Sequence, residues 1–130
     1  MKQTFTKDER LCKKALIAKL FEQGKSFHSY PFRVLFLETE LPGNYPVQVL
    51  ISVPKQIYRE AANRNKIKRR IREAYRRNKE ILYEPLMRNQ RKMALALTYT
   101  SKEILPSPLI QEKIILLLLR LREGHAQNFG

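Results

Sequence analysis

The stretch from Arg64 to Lys79 constrains this chain more than any other. It holds nine bases, Arg64, Lys66, Lys68, Arg69, Arg70, Arg72, Arg76, Arg77 and Lys79, against the single acid Glu73. No Pro or Gly interrupts the chain from Glu60 to Tyr83, and good helix formers dominate. Ile67, Ile71, Ala74, Asn78 and Ile81 or Leu82 fall on one side of a helical wheel. Projected at about 100° per residue, Lys68, Lys79, Arg72, Arg76 and Arg69 share the other side with Asn65. The pattern predicts a helix that buries one flank and offers cations along the other.

The whole chain repeats that bias. Its 130 residues carry 26 Lys and Arg against 12 Asp and Glu, a formal net charge of +14. Such self-repulsion is relieved by a polyanion, which makes nucleic acid the expected partner. The length fits one domain, 1–130, with residues 1–5 and 125–130 expected to be flexible. The lone cysteine, Cys12, cannot close an internal disulfide, so a reducing, cytoplasmic setting is expected. The opening MKQTFTKDERLCKK mixes charges where a secretory signal needs an apolar core. The longest apolar run, Ile114 to Leu119, is far short of a membrane span.

Thr6 and Glu9 have the spacing of a capping box, and the apolar positions from Leu11 to Phe21 predict a first helix that Gly24 stops. The aromatic and β-branched run SFHSYPFRVLFLETE, the turn-like LPGNYP and then VQVLISV predict an antiparallel hairpin, with Pro54 closing the second strand. Pro85 is expected to follow the basic helix. A polar stretch with Arg88, Arg91 and Lys92 leads to MALALTY, which reads as a buried strand. Ser107 and Pro108 suit the start of a last helix whose face runs from Leu109 through Leu121, with Gly124 at its end. The order helix, two or three strands, helix, strand, helix points to an α+β sandwich, helices on a small sheet. There is no internal repeat.

Little here suits a protein-borne nuclease. His28 and His125 stand alone, and the acids are scattered among bases rather than clustered as metal ligands or acid–base pairs. Arginines on the basic face suit bidentate phosphate recognition, and such contacts position a nucleic acid without reading its sequence. Asn65 reads equally as a helix-start residue or as an RNA contact. Three classes stand at this point: a subunit of a catalytic ribonucleoprotein, a ribosomal or assembly RNA-binding protein, and a protein-only nuclease or DNA-binding helix protein.

The order of residues favours the first. ANRNKIKRRIREAYRR resembles the arginine–asparagine–arginine signature of the bacterial ribonuclease P protein family, R-N-R-x-K-R-x-x-R. Arg64, Asn65, Lys68, Arg69 and Arg72 match it, while Lys66 stands where the family has its second arginine, keeping charge and losing bidentate geometry. LFEQGKSF is similar to the family's first helix running into its turn, with Phe21 at an aromatic position and Ile17 at the earlier one. ISVPKQI resembles the strand-end V-S-K-K-V, Lys55 keeping the second lysine and Pro54 replacing the first. The likeness covers roughly residues 6 to 82.

The resemblance implies an αββαβα two-layer sandwich with a left-handed βαβ crossover, against the usual hand. It implies a protein that assists a catalytic RNA subunit in removing the 5′ leader from precursor tRNA, with Mg²⁺ used by the RNA. By the same resemblance Arg64, Asn65, Lys66, Lys68, Arg69, Arg72 and Arg76 contact the RNA subunit. A cleft between sheet and first helix is implied for the leader. A leader site needs aromatic platforms beside a cation, and Phe21, Phe32 and Phe36 with Lys55 are the candidates.

Overall fold

The computed structural model describes residues 4–126. The expected flexibility of both chain ends falls largely on residues outside those described, as does the side chain of His125. A single 3₁₀ turn, Lys7–Glu9, is followed by α1 (Lys14–Gln23), β1 (Lys25–Ser29), β2 (Phe32–Glu38), β3 (Val47–Ser52), α2 (Ala61–Asn78), α3 (Glu80–Arg88), β4 (Met93–Tyr99) and α4 (Ser107–Ala126). The sheet order is β1-β2-β4-β3.

The α+β sandwich is as expected, but the strands are wired differently. The long aromatic run is two strands, since Pro31 has no N–H for a ladder and the chain reverses at Tyr30–Pro31, bringing Ser29 opposite Phe32. β2 does not pair with β3: it lies antiparallel to β4 over Phe32–Glu38, and β3 lies parallel to β4 over Val47–Ser52. The reason is β4 itself. Met93 to Leu97 are buried without alternation, so this strand is apolar on both faces and takes the sheet centre between β2 and β3. β3, α2, α3 and β4 therefore form a parallel crossover unit, with Pro54 just beyond the end of β3 as expected.

Side-chain alternation divides the sheet into two cores. Phe32, Val34, Phe36, Val47, Val49, Leu95, Leu97 and Tyr99 meet the inner flanks of α2, α3 and α4. On α2 these are Ile67, Ile71, Ala74 and Tyr75, and on α4 Ile110, Ile114, Leu117, Leu118 and Leu121. The opposite face is partly covered by α1, where Leu16, Ile17 and Leu20 pack on Leu35, Leu37, Leu50, Ala94 and Ala96.

Four expected element boundaries shift. The Thr6–Glu9 box heads the 3₁₀ turn rather than α1: the Glu9 carboxylate accepts the Thr6 N–H at 2.7 Å, but Leu11 N–H then donates to Val49 O at 3.0 Å, drawing the chain along β3 before α1 starts. The basic helix breaks at Lys79 into α2 and α3. Pro85 lies inside α3, where it forgoes one backbone bond. Gly124 lies within α4, which runs on to Ala126.

Candidate functional site

α2 is anchored from below and from both ends. Its buried flank packs on the first core, and Arg64 reaches back to donate to Tyr58 O and Arg59 O, both at 2.8 Å. Arg70 donates to Leu105 O at 2.6 Å, tying the helix to the loop before α4. At the α2–α3 break Lys79 is only 2 % exposed. Its ammonium meets the Glu9 carboxylate at 2.6 Å and also donates to Thr4 O, while Tyr83 O–H donates to Glu9 at 2.7 Å. Lys79 thus leaves the cationic face on which its helical position would put it. Burial pushes the Glu9 carboxyl up, but the Lys79 ammonium, the Thr6 N–H and the Tyr83 hydroxyl together hold it below the usual range.

The single acid of the segment, Glu73, is taken up by its own helix. It accepts from Arg76 at 2.6 and 3.0 Å and from Arg77 at 2.9 Å. The Arg76 hydrogen bonds first, with the Arg77 hydrogen bond and the charge of both guanidiniums, hold its carboxyl down at about 2 against an opposing effect of desolvation.

What is left open is a coherent subset of the predicted contacts. Among the described residues Asn65, Lys66, Lys68, Arg69 and Arg72 make no hydrogen bond or ion pair, and all lie on the outer side or flank of α2. Asn65 sits exposed in the second turn of α2 and caps nothing, which removes its helix-start reading. Arg64 and Arg76, also predicted to contact RNA, are engaged with protein atoms.

The proposed leader residues separate. Phe21, on the last turn of α1, is 62 % exposed and overhangs an open groove of about 470 Å³ lined by Gly24, Ser26, Arg33, Leu35, Ala96 and Thr98. Gly24 lets α1 turn tightly into β1 at the edge of this groove: a Cβ there would lie 2.4 Å from Leu20 O and 3.0 Å from Leu35 Cδ1. Phe32 and Phe36 are 0 % and 6 % exposed and point into the first core, away from the groove. They are core residues because β2 alternates, so the residues facing α1 are Arg33, Leu35 and Leu37. Lys55 is exposed after β3 but does not line this groove, whose own cation is Arg33. Arg33 was absent from the sequence-based candidates, although the alternation FRVLFLE carries the signal that places it with Leu35.

This geometry has known counterparts. The Ribonuclease P family model matches residues 5–104. The ribonuclease P protein component of Porphyromonas gingivalis is 39% identical over 100 residues, spanning 76% of this chain and 72% of the relative. That of Thermotoga maritima is 37% identical over 82 residues, spanning 63% of this chain and 67% of the relative. The solved Thermotoga maritima protein superposes with a TM-score of 0.68 at 27% identity, over 86% of this chain and 96% of that one. The Staphylococcus aureus protein shares the fold, with a TM-score of 0.67 at 22% identity over 87% and 94% of the two chains.

Proposed function

Since the chain belongs to the ribonuclease P protein family and is the protein subunit of that ribonucleoprotein, we propose that the open face of α2 holds the RNA subunit and that the groove beneath Phe21 holds the 5′ leader of precursor tRNA. One observation carries the first half. Lys66, Lys68, Arg69 and Arg72 with Asn65 form a face that the protein leaves without partners among the described residues, while the other bases of the segment serve the fold. Free cations on one rigid helix displace condensed counterions from a phosphate backbone. The Phe21 ring beside Arg33 offers a stacking surface and a cation to single-stranded RNA.

Mg²⁺ belongs, in this proposal, to the RNA subunit. Two carboxylates against the basic helix are already taken up, Glu9 by Lys79 and Tyr83 and Glu73 by Arg76 and Arg77. The protein assists by holding RNA rather than by supplying a nucleophile or base. The same reading carries a cytoplasmic location, in keeping with the exposed free thiol of Cys12; no helix among the described residues is long and apolar enough to cross a membrane.

The test is reconstitution. Mixed with a bacterial ribonuclease P RNA at low Mg²⁺, the chain should raise cleavage of precursor tRNA. The Arg69→Ala/Arg72→Ala variant should bind that RNA more weakly, with its log affinity against log salt flatter by roughly 1.4 to 1.8, at about 0.7 to 0.9 per phosphate. An unchanged slope in a folded variant would refute the assignment of α2.

A further inference from the structure

The N-terminal segment before α1 is built more firmly than a loose leader to a helix would require. Arg10 forms a parallel bridge with Val49 at the free edge of β3, and Leu11 N–H donates to Val49 O at 3.0 Å. Glu9, one residue earlier, is buried against Lys79 at the α2–α3 break. Phe5 packs edge-on against Tyr75 of α2, ring centres 5.7 Å apart, and the Arg10 guanidinium lies 5.4 Å from the Phe5 ring centre. This strap is therefore registered to both β3 and α2.

Between strap and helix lies a cavity of about 170 Å³ lined by Phe5, Arg10, Leu11, Cys12, Val49, Leu50, Ile51 and Arg72. Two arginines, Arg10 and Arg72, line it and no carboxylate does. Neither Arg10 nor Arg72 has an ion pair among the described residues; Asp8 lines the hollow on the strap's other side without bonding to Arg10. Like charges converging on one apolar-floored cavity repel each other unless an anion sits between them. A pair of planar guanidinium forks matches the tetrahedral oxygens of a phosphodiester, and the apolar floor of Leu11, Val49 and Ile51 suits the sugar or base attached to it.

We propose that Arg10 of the strap and Arg72 of α2 grip one phosphate of the RNA subunit between them, so that the RNA-binding surface extends past the basic helix onto the edge of β3. This rests on the reading that α2 contacts that RNA, and it adds a residue that the signature does not contain. The volume is too small for a drug-sized ligand and has room for a phosphate group. Burial of the Glu9–Lys79 pair fixes the strap's position, making those two residues positioning groups for Arg10.

The experiment measures binding of ribonuclease P RNA across a salt series for Arg10→Gln, Arg72→Ala and the double variant, with thermal melts alongside. Glutamine keeps the stem over Phe5. Each single variant should weaken binding by about tenfold and flatten the slope by about 0.7 to 0.9, as loss of one charged hydrogen-bonding contact predicts. The double variant should be little worse than the poorer single, because both side chains hold the same phosphate. Arg10→Lys should keep most of the slope while losing part of the affinity, a result that a merely structural role would not give. Wild-type binding by Arg10→Gln beside a weakened Arg72→Ala overturns the shared site and leaves α2 as the interface. Losses that multiply in the double variant overturn it too, since they mean separate phosphates. If Arg69→Ala and Arg72→Ala also bind like wild type, the α2 reading fails and the shared site falls with it.

Discussion

Replacing Glu9 with Gln tests the link between strap and helix most sharply. The side chain is fully buried, as is that of Lys79, and it joins Lys79, the Thr6 N–H and the Tyr83 hydroxyl. Glutamine fills the same space and can still accept from Thr6 or Tyr83, so the change isolates the charge. It leaves an ammonium in the interior with only carbonyl oxygens and the Tyr45 and Tyr83 rings, 5.8 and 5.2 Å from it, for company. Breaking a buried pair in this way costs about 3 to 5 kcal/mol. For a domain of this size that is a fall in Tm of roughly 10 to 20 °C. The Glu9→Gln/Lys79→Met variant should regain much of the loss, since the stranded charge is gone. The pH profile supplies a second readout. Glu9 is held below its unfolded value, so its contribution is complete above about pH 4.3 and fades as pH falls through the lower folded value. Glu9→Gln should flatten that acid limb. Urea and thermal unfolding at pH 7 and pH 3 measure all of this. A Glu9→Gln variant within about 1 kcal/mol of wild type at pH 7, or a double variant as unstable as the two singles added, would refute the buried-pair argument.

Two further outcomes follow from the site. Phe32→Ala should lower stability by about 3 to 5 kcal/mol through a core cavity without changing the preference for leader-bearing over mature tRNA, whereas Phe21→Ala, on the exposed ring, should weaken binding of leader-bearing precursor selectively and leave Tm nearly unchanged; paired melts and binding titrations separate them. Glu73→Gln frees Arg76 and Arg77 from their shared carboxylate and should steepen the salt dependence of RNA binding. Because the Glu73 carboxyl is held at about 2, wild-type RNA binding should show no step from this group between pH 4 and 8.

What the sequence made legible was local, and what it hid was long-range. The apolar spacing of Ile67, Ile71 and Ala74 is short-range information, and those residues are the buried flank of α2. MALALTY reads as a buried strand for the same reason, and it is β4. Its position between β2 and β3 was hidden, because hairpin signals weigh neighbours in sequence and the strand that intervenes comes more than forty residues after β3 begins. Alternation in β2 fixes that Phe32 and Phe36 share a face, but only the packing of α1 and α2 to α4 says which face is closed. Lys79 looked like one more surface base. Its partner Glu9 is 70 positions away, and no helical projection contains it.

That separation explains how the basic helix can exist before any RNA arrives. Of its nine bases, Arg64 and Arg70 are bonded to loop carbonyls, Arg76 and Arg77 to Glu73, and Lys79 to Glu9, leaving Lys66, Lys68, Arg69 and Arg72. The engaged five stabilise the ends and flanks of α2, and Glu73 offsets the repulsion that Arg76 would otherwise exert on Arg72, one turn away. Repulsion between Lys68 and Arg72 at i, i+4 is unrelieved by the protein, and Arg72 also faces Arg10 across the cavity. The unrelieved charge is thus carried by a helix whose inner flank, Ile67, Ile71 and Tyr75, is fully buried. A loosely held helix would fray under that load. This one is pinned by its core, so relief of the repulsion is available to an arriving phosphate backbone as binding free energy rather than being released by local unfolding.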